Sequence, residues 1–345
     1  MLKRGVYDAP DYEVEPDTPH QFFKIPDEYP KNRLGLAKWL LHPDHPLFTR
    51  VTVNRFWQEI FGRGLVKTPE DFGNQGELPT HPELLDWLSV WFRKSGWDVK
   101  ALHKLMVMSA TYRQSSVVTP ELAQKDPENR LYTRSQAGRL SAEQTRDNAL
   151  ATSGLLVKDI GGPGVYPYQP DGIWEALATR NAVVYVQSHG DSLYRRSMYT
   201  YWKRSAPPPM MLNFDAAERH FCSVKRQKTS TPLQALVTLN DPQFVEAARV
   251  LAQRAVANTR GEPEEVINYC FKSLVSRNPT QQEMEILREL YQQEVETFKQ
   301  NPQKGRELLK VGEKPADPNL PTPQLAAYTV VASTLMNFDE VLIKR

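Results

Sequence analysis

Apolar positions along the chain recur mostly at spacings of three and four, the period of a helix that buries one face. Leu34, Ala37, Leu40 and Leu41 share a face after Asn32, and His42-Pro43 ends that run. Residues 46–61 put Val53, Trp57 and Ile60 on one stripe, with Gly62 and Gly64 placed as C-terminal caps. Thr80 and Glu83 have capping-box spacing ahead of Leu84, Leu85, Leu88, Trp91 and Phe92, and Asp98 is placed to cap a helix carrying Leu102, Leu105, Met106 and Tyr112. A short helix over 119–124 follows, and Ser141 with Gln144 makes a second capping box, opening a helix that ends at Gly154. Beyond residue 230 the same grammar predicts helices opened by Thr231-Pro232 and Asp241-Pro242, then helices over 262–276, 280–300 with a Thr280/Glu283 box, 303–311 and 323–337.

The period changes only in the middle. Gly161-Gly162-Pro163-Gly164 forces a loop, and residues 181–187 and 191–202, rich in β-branched and aromatic side chains around Ser188-His189-Gly190, suggest a small hairpin near 182–202. The predicted class is therefore mainly α: a multi-helical orthogonal or irregular bundle with at most one small β-hairpin. Prolines at 10, 16, 19, 26 and 30 mark residues 1–31 as an extended linker. We expect a helical subdomain over 32–137 and a second over 138–345, since 345 residues exceed what one core usually supports.

Composition narrows the function classes. A formal charge of +2 gives no overall attraction to nucleic acid. The longest apolar run, Leu325 to Met336, contains Tyr328, Thr329, Ser333 and Thr334, so no membrane span is expected. Cys222 and Cys270 make no metal knuckle and no haem attachment motif, although they leave open a single bridge; His42, His45, His81 and His103 lack zinc-ligand spacing. No metal and no cofactor is expected in this chain.

One segment departs from the charge balance. Between Arg195 and Lys228, eight cations (Arg195, Arg196, Lys203, Arg204, Arg219, Lys225, Arg226, Lys228) face two acids, Asp215 and Glu218. The segment runs into Thr229-Ser230-Thr231-Pro232, a helix start whose free N–H groups favour an anion, and Tyr194, Tyr199, Tyr201 and Trp202 interleave with the charges in a pattern suited to a sugar ring. Candidate ligand contacts are Arg195, Arg196, Tyr201, Trp202, Lys203, Arg204, Asp215, Glu218, Lys225, Arg226, Thr229 and Thr231. The competing reading has these cations paired within the protein. Asp215 and Glu218 are spaced as a carboxylate pair for acid/base work, or as an N-cap and its capping-box partner. His220 and Cys222 have a spacing open to Cys/His chemistry, and Asn54, inside an apolar helix beside Trp57, suggests a specific hydrogen-bonding role in a buried network.

Several long stretches carry a family resemblance: residues 32–88 (beginning NRLGLAKWLLHPDHP), SATYRQSS, PYQPDGIWE, YRRSMYTYWKR and KRQKTSTPLQALVTLNDPQFVEAARVLAQR. Together they resemble the domain of unknown function 1553 (DUF1553) family, abundant in planctomycetes, over nearly the whole chain from about Arg4 to the closing NFDEVLIKR. Relatives often show Thr-Asn-Thr-Pro where this chain has Thr229-Ser230-Thr231-Pro232. The resemblance implies a C-terminal piece of a longer periplasmic or extracytoplasmic protein, following a signal peptide, a c-type cytochrome-like module that would hold any haem, and a domain of unknown function 1549. It carries no catalytic residues across. Three functional expectations result: an accessory domain binding an anionic ligand such as an acidic or sulfated polysaccharide; an enzyme acting on a carbohydrate polymer through Asp215, Glu218, His220 or Cys222; or a structural partner of the cytochrome-like module.

Overall fold

A computed structural model describes residues 1–19, 21–176 and 184–344. The chain divides between Gln136 and Ala137 into two compact units. The first contains helices α1 (Arg33–Leu40), α2 (Phe48–Phe61), α3 (Pro82–Lys94), α4 (Val99–Val107), α5 (Ala110–Arg113) and α6 (Pro120–Lys125). Helix α2 packs on α3 and α4, burying Val53, Trp57, Phe61, Leu85, Leu88, Phe92, Leu102 and Met106. Asn54 lies fully buried in α2, where its amide donates to Val66 O at 3.0 Å and its carbonyl accepts from Val66 N at 2.9 Å. That pair ties the chain after Gly64 to the helix, which is why an amide replaces an apolar residue there.

Two local expectations fail in this unit. The Thr80/Glu83 capping box does not form: α3 begins at Pro82 without a side-chain cap, because Thr80 is held through its N–H to Leu65 O at 3.0 Å. Nor is the 1–31 segment wholly extended linker. Ile25 is buried, Trp39 Nε1 donates to Phe23 O at 3.1 Å, and the Phe23 and Trp39 rings stack at 5.2 Å.

The second unit contains α7 (Ala142–Ser153), α8 (Ile173–Ala176), α9 (Pro209–Asn213), α10 (Pro232–Asn240), α11 (Pro242–Ala257), α12 (Pro263–Val275), α13 (Gln281–Gln300), α14 (Pro302–Leu309), α15 (Thr322–Met336) and α16 (Asp339–Leu342). Helices α11 and α15 form its centre. Fully buried alanines at 247, 248, 252, 255, 326, 327 and 332 let them approach closely, while α7, α12, α13 and α14 surround them. Helix α15 is apolar on all sides because it is enclosed, and among the described residues no helix is long and apolar enough to cross a membrane. Capping boxes form at Ser141/Gln144 and Thr280/Glu283 as their spacing predicts, and Asp98, Thr231 and Asp241 each accept a backbone N–H at a helix start.

The small sheet lies elsewhere than predicted. Two strands, β1 (Gly138–Arg139) and β2 (Ile343–Lys344), pair antiparallel. Residues 181–183 of the expected hairpin fall outside the described residues, and residues 184–202 contain no strand. Instead they hold two 3-10 turns, Gly190–Tyr194 and Ser197–Tyr199, beside isolated parallel bridges Val157 to Arg195 and Val165 to Thr200. Arg146 of α7 supplies the reason. Its fully buried guanidinium donates to Gln243 Oε1 (2.6 Å), Arg195 O (2.8 Å), Ser197 Oγ (3.2 Å) and Leu193 O (2.8 Å), capturing carbonyls that a hairpin ladder would use. Burial lowers its pKa to about 10, so it remains charged at neutral pH. A second buried group lies deeper: Glu246 accepts from Tyr194 Oη (2.8 Å), Tyr168 Oη (3.0 Å) and Lys314 N (2.6 Å), one turn before buried Arg249. Burial, then Glu246, raises the pKa values of Tyr194 and Tyr168, keeping both phenols protonated as donors.

Replacing Arg146 with Met should cost about 3 kcal/mol or more, because it orphans several buried acceptors at once. A urea titration is expected to show a lower midpoint at similar m value, and an unchanged midpoint would refute the clamp. At the far side of the unit, Arg277 donates to Glu283 (2.7 and 2.8 Å) and Glu340 (2.6 Å), and these bonds hold the Glu283 carboxyl at about 2, below its ordinary 4.5. The folded-state pKa lies below the unfolded one. The stabilisation is therefore complete above about pH 4.5 and lost as pH falls towards about 2. Glu283→Gln is expected to flatten the stability profile in that window, measured by urea melts at stepped pH.

Candidate anion-binding site

The twelve candidate residues fall into three groups by what their side chains touch. The first does internal work. Arg195 is buried, donating to Pro163 O at 3.0 Å and to Gly161 O, with its guanidinium 3.9 Å from the Tyr199 ring centroid. Tyr199 Oη accepts from Gly161 N at 2.7 Å, so the glycine loop wraps around this arginine. Gly161 and Gly162 have φ of +88° and +85°, a region glycine enters without strain. Arg195 is thus the hub of a loop, not an open ligand contact.

Asp215, Thr229 and Thr231 are likewise engaged. Asp215 has φ +59° and accepts from Thr229 N at 2.7 Å and Thr229 Oγ1 at 2.9 Å. Thr229 Oγ1 accepts in turn from Gln234 Nε2 at 3.2 Å, and Thr231 Oγ1 accepts from Gln234 N at 3.4 Å. The anion at the start of α10 is the chain's own Asp215 carboxylate, and Pro232, the first helical residue, has no N–H to offer. No helix begins at Asp215, so the expected capping box with Glu218 is absent. The acid/base pair loses support for the same reason, since both Asp215 oxygens hold Thr229 while the exposed Glu218 uses only its backbone carbonyl, accepting from Trp202 Nε1 at 3.0 Å.

The second group is aromatic. Tyr201 stacks on Tyr166 at 5.0 Å and lies 5.9 Å from Trp174, whose ring also carries the Lys203 ammonium at 4.4 Å. Trp202 carries the Arg219 guanidinium at 4.6 Å. Each cation here rests on a ring, an arrangement that leaves its outer side available to an anion.

The third group is cationic surface. Arg226 pairs with Glu143 of α7 at 2.8 and 3.0 Å; burial pushes the Glu143 carboxyl up, but the guanidinium outweighs it and holds the group below the ordinary carboxylate range. Arg196, Arg204, Arg219, Lys225 and Lys228 are exposed and pair with no carboxylate among the described residues. An open cavity of about 420 Å³ lies between α9 and the loop that follows it, lined by Arg219, Lys225, Arg226, Phe221 and Leu212 together with two carboxylates, Asp215 and the exposed Glu218. His220 and Cys222 are exposed on the same loop, Cys222 is a free thiol, and Cys270 is free and buried, so the two cysteines are not bridged. Residues that sequence reasoning passed over are Glu143, which removes one cation by pairing, and Arg146, whose place on a polar-looking helix gave no signal of complete burial. Arg219 was legible only as a member of a charged run, and Phe221 was passed over.

Comparison with known proteins adds a family and no activity. No curated protein and no solved structure matches the chain. A family model described as "Protein of unknown function (DUF1553)", PSD1, matches residues 32–291, well over half of the sequence and including both the Asn54 clamp and the basic loop. The chain therefore belongs to the DUF1553 family.

Proposed function

We propose that this chain is an accessory binding domain of an extracytoplasmic protein, and that it holds an acidic or sulfated glycan in the cavity beside α9. The observation carrying this reading is that Arg219 and Lys225 line that cavity without a carboxylate partner among the described residues. Arg219 rests on Trp202, which supports its guanidinium at the cavity wall and leaves the outer side open to a sulfate or carboxylate. Arg226 is a conditional third contact because Glu143 competes for it. The residues assigned to the ligand are thus Arg219, Lys225 and Arg226, with Trp202 as the support beneath Arg219. Asp215 also lines the cavity, but its carboxylate is held by Thr229.

Such exposed cations act over a screening distance of about 8 Å at physiological ionic strength, so affinity should fall steeply as salt rises. Titration calorimetry with dextran sulfate and with polygalacturonate at low salt is expected to detect binding that neutral dextran lacks. Arg219→Ala with Lys225→Ala should weaken it at least tenfold, whereas Glu143→Gln, by releasing Arg226, should strengthen it about two- to fivefold, in keeping with an exposed ion pair worth up to about 1 kcal/mol. Equal binding of neutral dextran, or a double variant that binds like the parent, would refute the assignment.

A further inference from the structure

Helix α10 is turned inside out. Its sequence, PLQALVTLN, carries no charge, yet Gln234 and Thr238 point inward and the leucines outward. Gln234 and Thr238 are buried: Gln234 Nε2 donates to Asn213 O at 2.8 Å, and Thr238 Oγ1 donates to Asn337 Oδ1 at 2.9 Å. Leu233, Leu236 and Leu239 are 51%, 55% and 39% exposed. Spaced at i, i+3 and i+6, they form one stripe. These hydrogen bonds and the packing of Val237 on the core hold the helix in place, and the three leucines lie outside both.

The surroundings indicate what covers that stripe. The loop leading into α10 bears Lys225 and Lys228, neither paired with a carboxylate among the described residues, and Arg139 reaches Ser230 Oγ at 3.1 Å just before the helix. Phe221, 76% exposed, lies on the same loop. Leucines on a convex helix, an exposed aromatic ring and adjacent cations are the components of an interfacial helix that lies on anionic lipid. A protein partner fits less well. A stable protein interface needs about 800 Å² from each side, and a nine-residue helix is only about 13 Å long.

We propose that α10 docks on an anionic lipid surface, with Leu233, Leu236 and Leu239 entering the headgroup boundary and Lys225, Lys228 and Arg139 meeting the phosphates. The leucines line neither the cavity beside α9 nor the one that Arg146 walls, so this site stands apart from the glycan reading although Lys225 borders both. The test is co-sedimentation of the full chain with phosphatidylcholine vesicles, with and without phosphatidylglycerol. At low salt the parent is expected to bind vesicles containing phosphatidylglycerol at least tenfold better than phosphatidylcholine alone. Leu233→Ser with Leu236→Ser and Leu239→Ser should abolish that gain while leaving the melting temperature and dextran sulfate binding unchanged. Sedimentation of the triple variant at the parent's level would overturn the proposal and leave a purely electrostatic attraction. No sedimentation of the parent with either vesicle would also overturn it, as would a parent dimer that the triple variant converts to monomer. Arg219→Ala alone reads the glycan site separately, through loss of dextran sulfate binding with vesicle binding retained.

Discussion

The second unit depends on one buried guanidinium. Among the described residues, 184–202 contain no regular hydrogen-bond ladder, so the carbonyls that this stretch buries against α7 need partners from elsewhere. Arg146 resolves this by presenting a planar fork of donors from a rigid helix, and it takes Leu193 O, Arg195 O and Ser197 Oγ together. A lysine has the charge but not the fork, so it would satisfy these acceptors only in part. Asp147, the next residue, accepts from Ser197 N at 2.8 Å, so the same turn of α7 serves the segment's donors as well as its acceptors. With that stretch fixed, Tyr194 can reach Glu246 and Arg195 can organise the glycine loop.

Counting cations along the chain therefore overstates the charge available to a ligand. Of the basic residues after position 194, Arg195 is spent on carbonyls and Arg226 on Glu143, while Lys203 and Arg219 lie on indole rings. These environments differ in consequence. A guanidinium enclosed by carbonyls is structural, one opposite a carboxylate is conditional, and one on an aromatic face keeps its charge and an open side. Arg219 is of this last kind and lines the cavity beside α9, and its setting depends on where Trp202 falls in space, which no count along the sequence reveals.

Legibility followed the range of the interaction. Asp98, Ser141, Thr231, Asp241 and Thr280 cap helices through bonds three residues long or less, and their spacing sufficed. Thr80 has the same local pattern, but its backbone serves Leu65, fifteen residues away, so the local rule loses to a tertiary contact. The β-rich composition of 184–202 describes side chains that favour extended backbone, but two 3-10 turns occupy part of the stretch; what composition cannot show is that Arg146 would claim its carbonyls. Asp215 and Glu218 are misleading for a related reason. The i, i+3 spacing means a shared face only if a helix is present, and Asp215, at positive φ, is committed to Thr229 fourteen residues ahead.

Helix α10 shows the limit of hydrophobic periodicity. Its leucines repeat at a helical spacing, and by pattern alone that stripe would be assigned to the core. The opposite face is buried because the junction of α9, α10 and α15 presents polar groups that must be met: Asn213 O, Thr229 Oγ1 and Asn337 Oδ1 require Gln234 and Thr238. An unpaired buried acceptor costs about 1–3 kcal/mol, comparable to what burial of a leucine side chain returns. Where one helix faces several such acceptors, satisfying them outweighs covering leucines already half sheltered by their neighbours. The orientation is thus set by polar demand from within, and the apolar face is what remains outside.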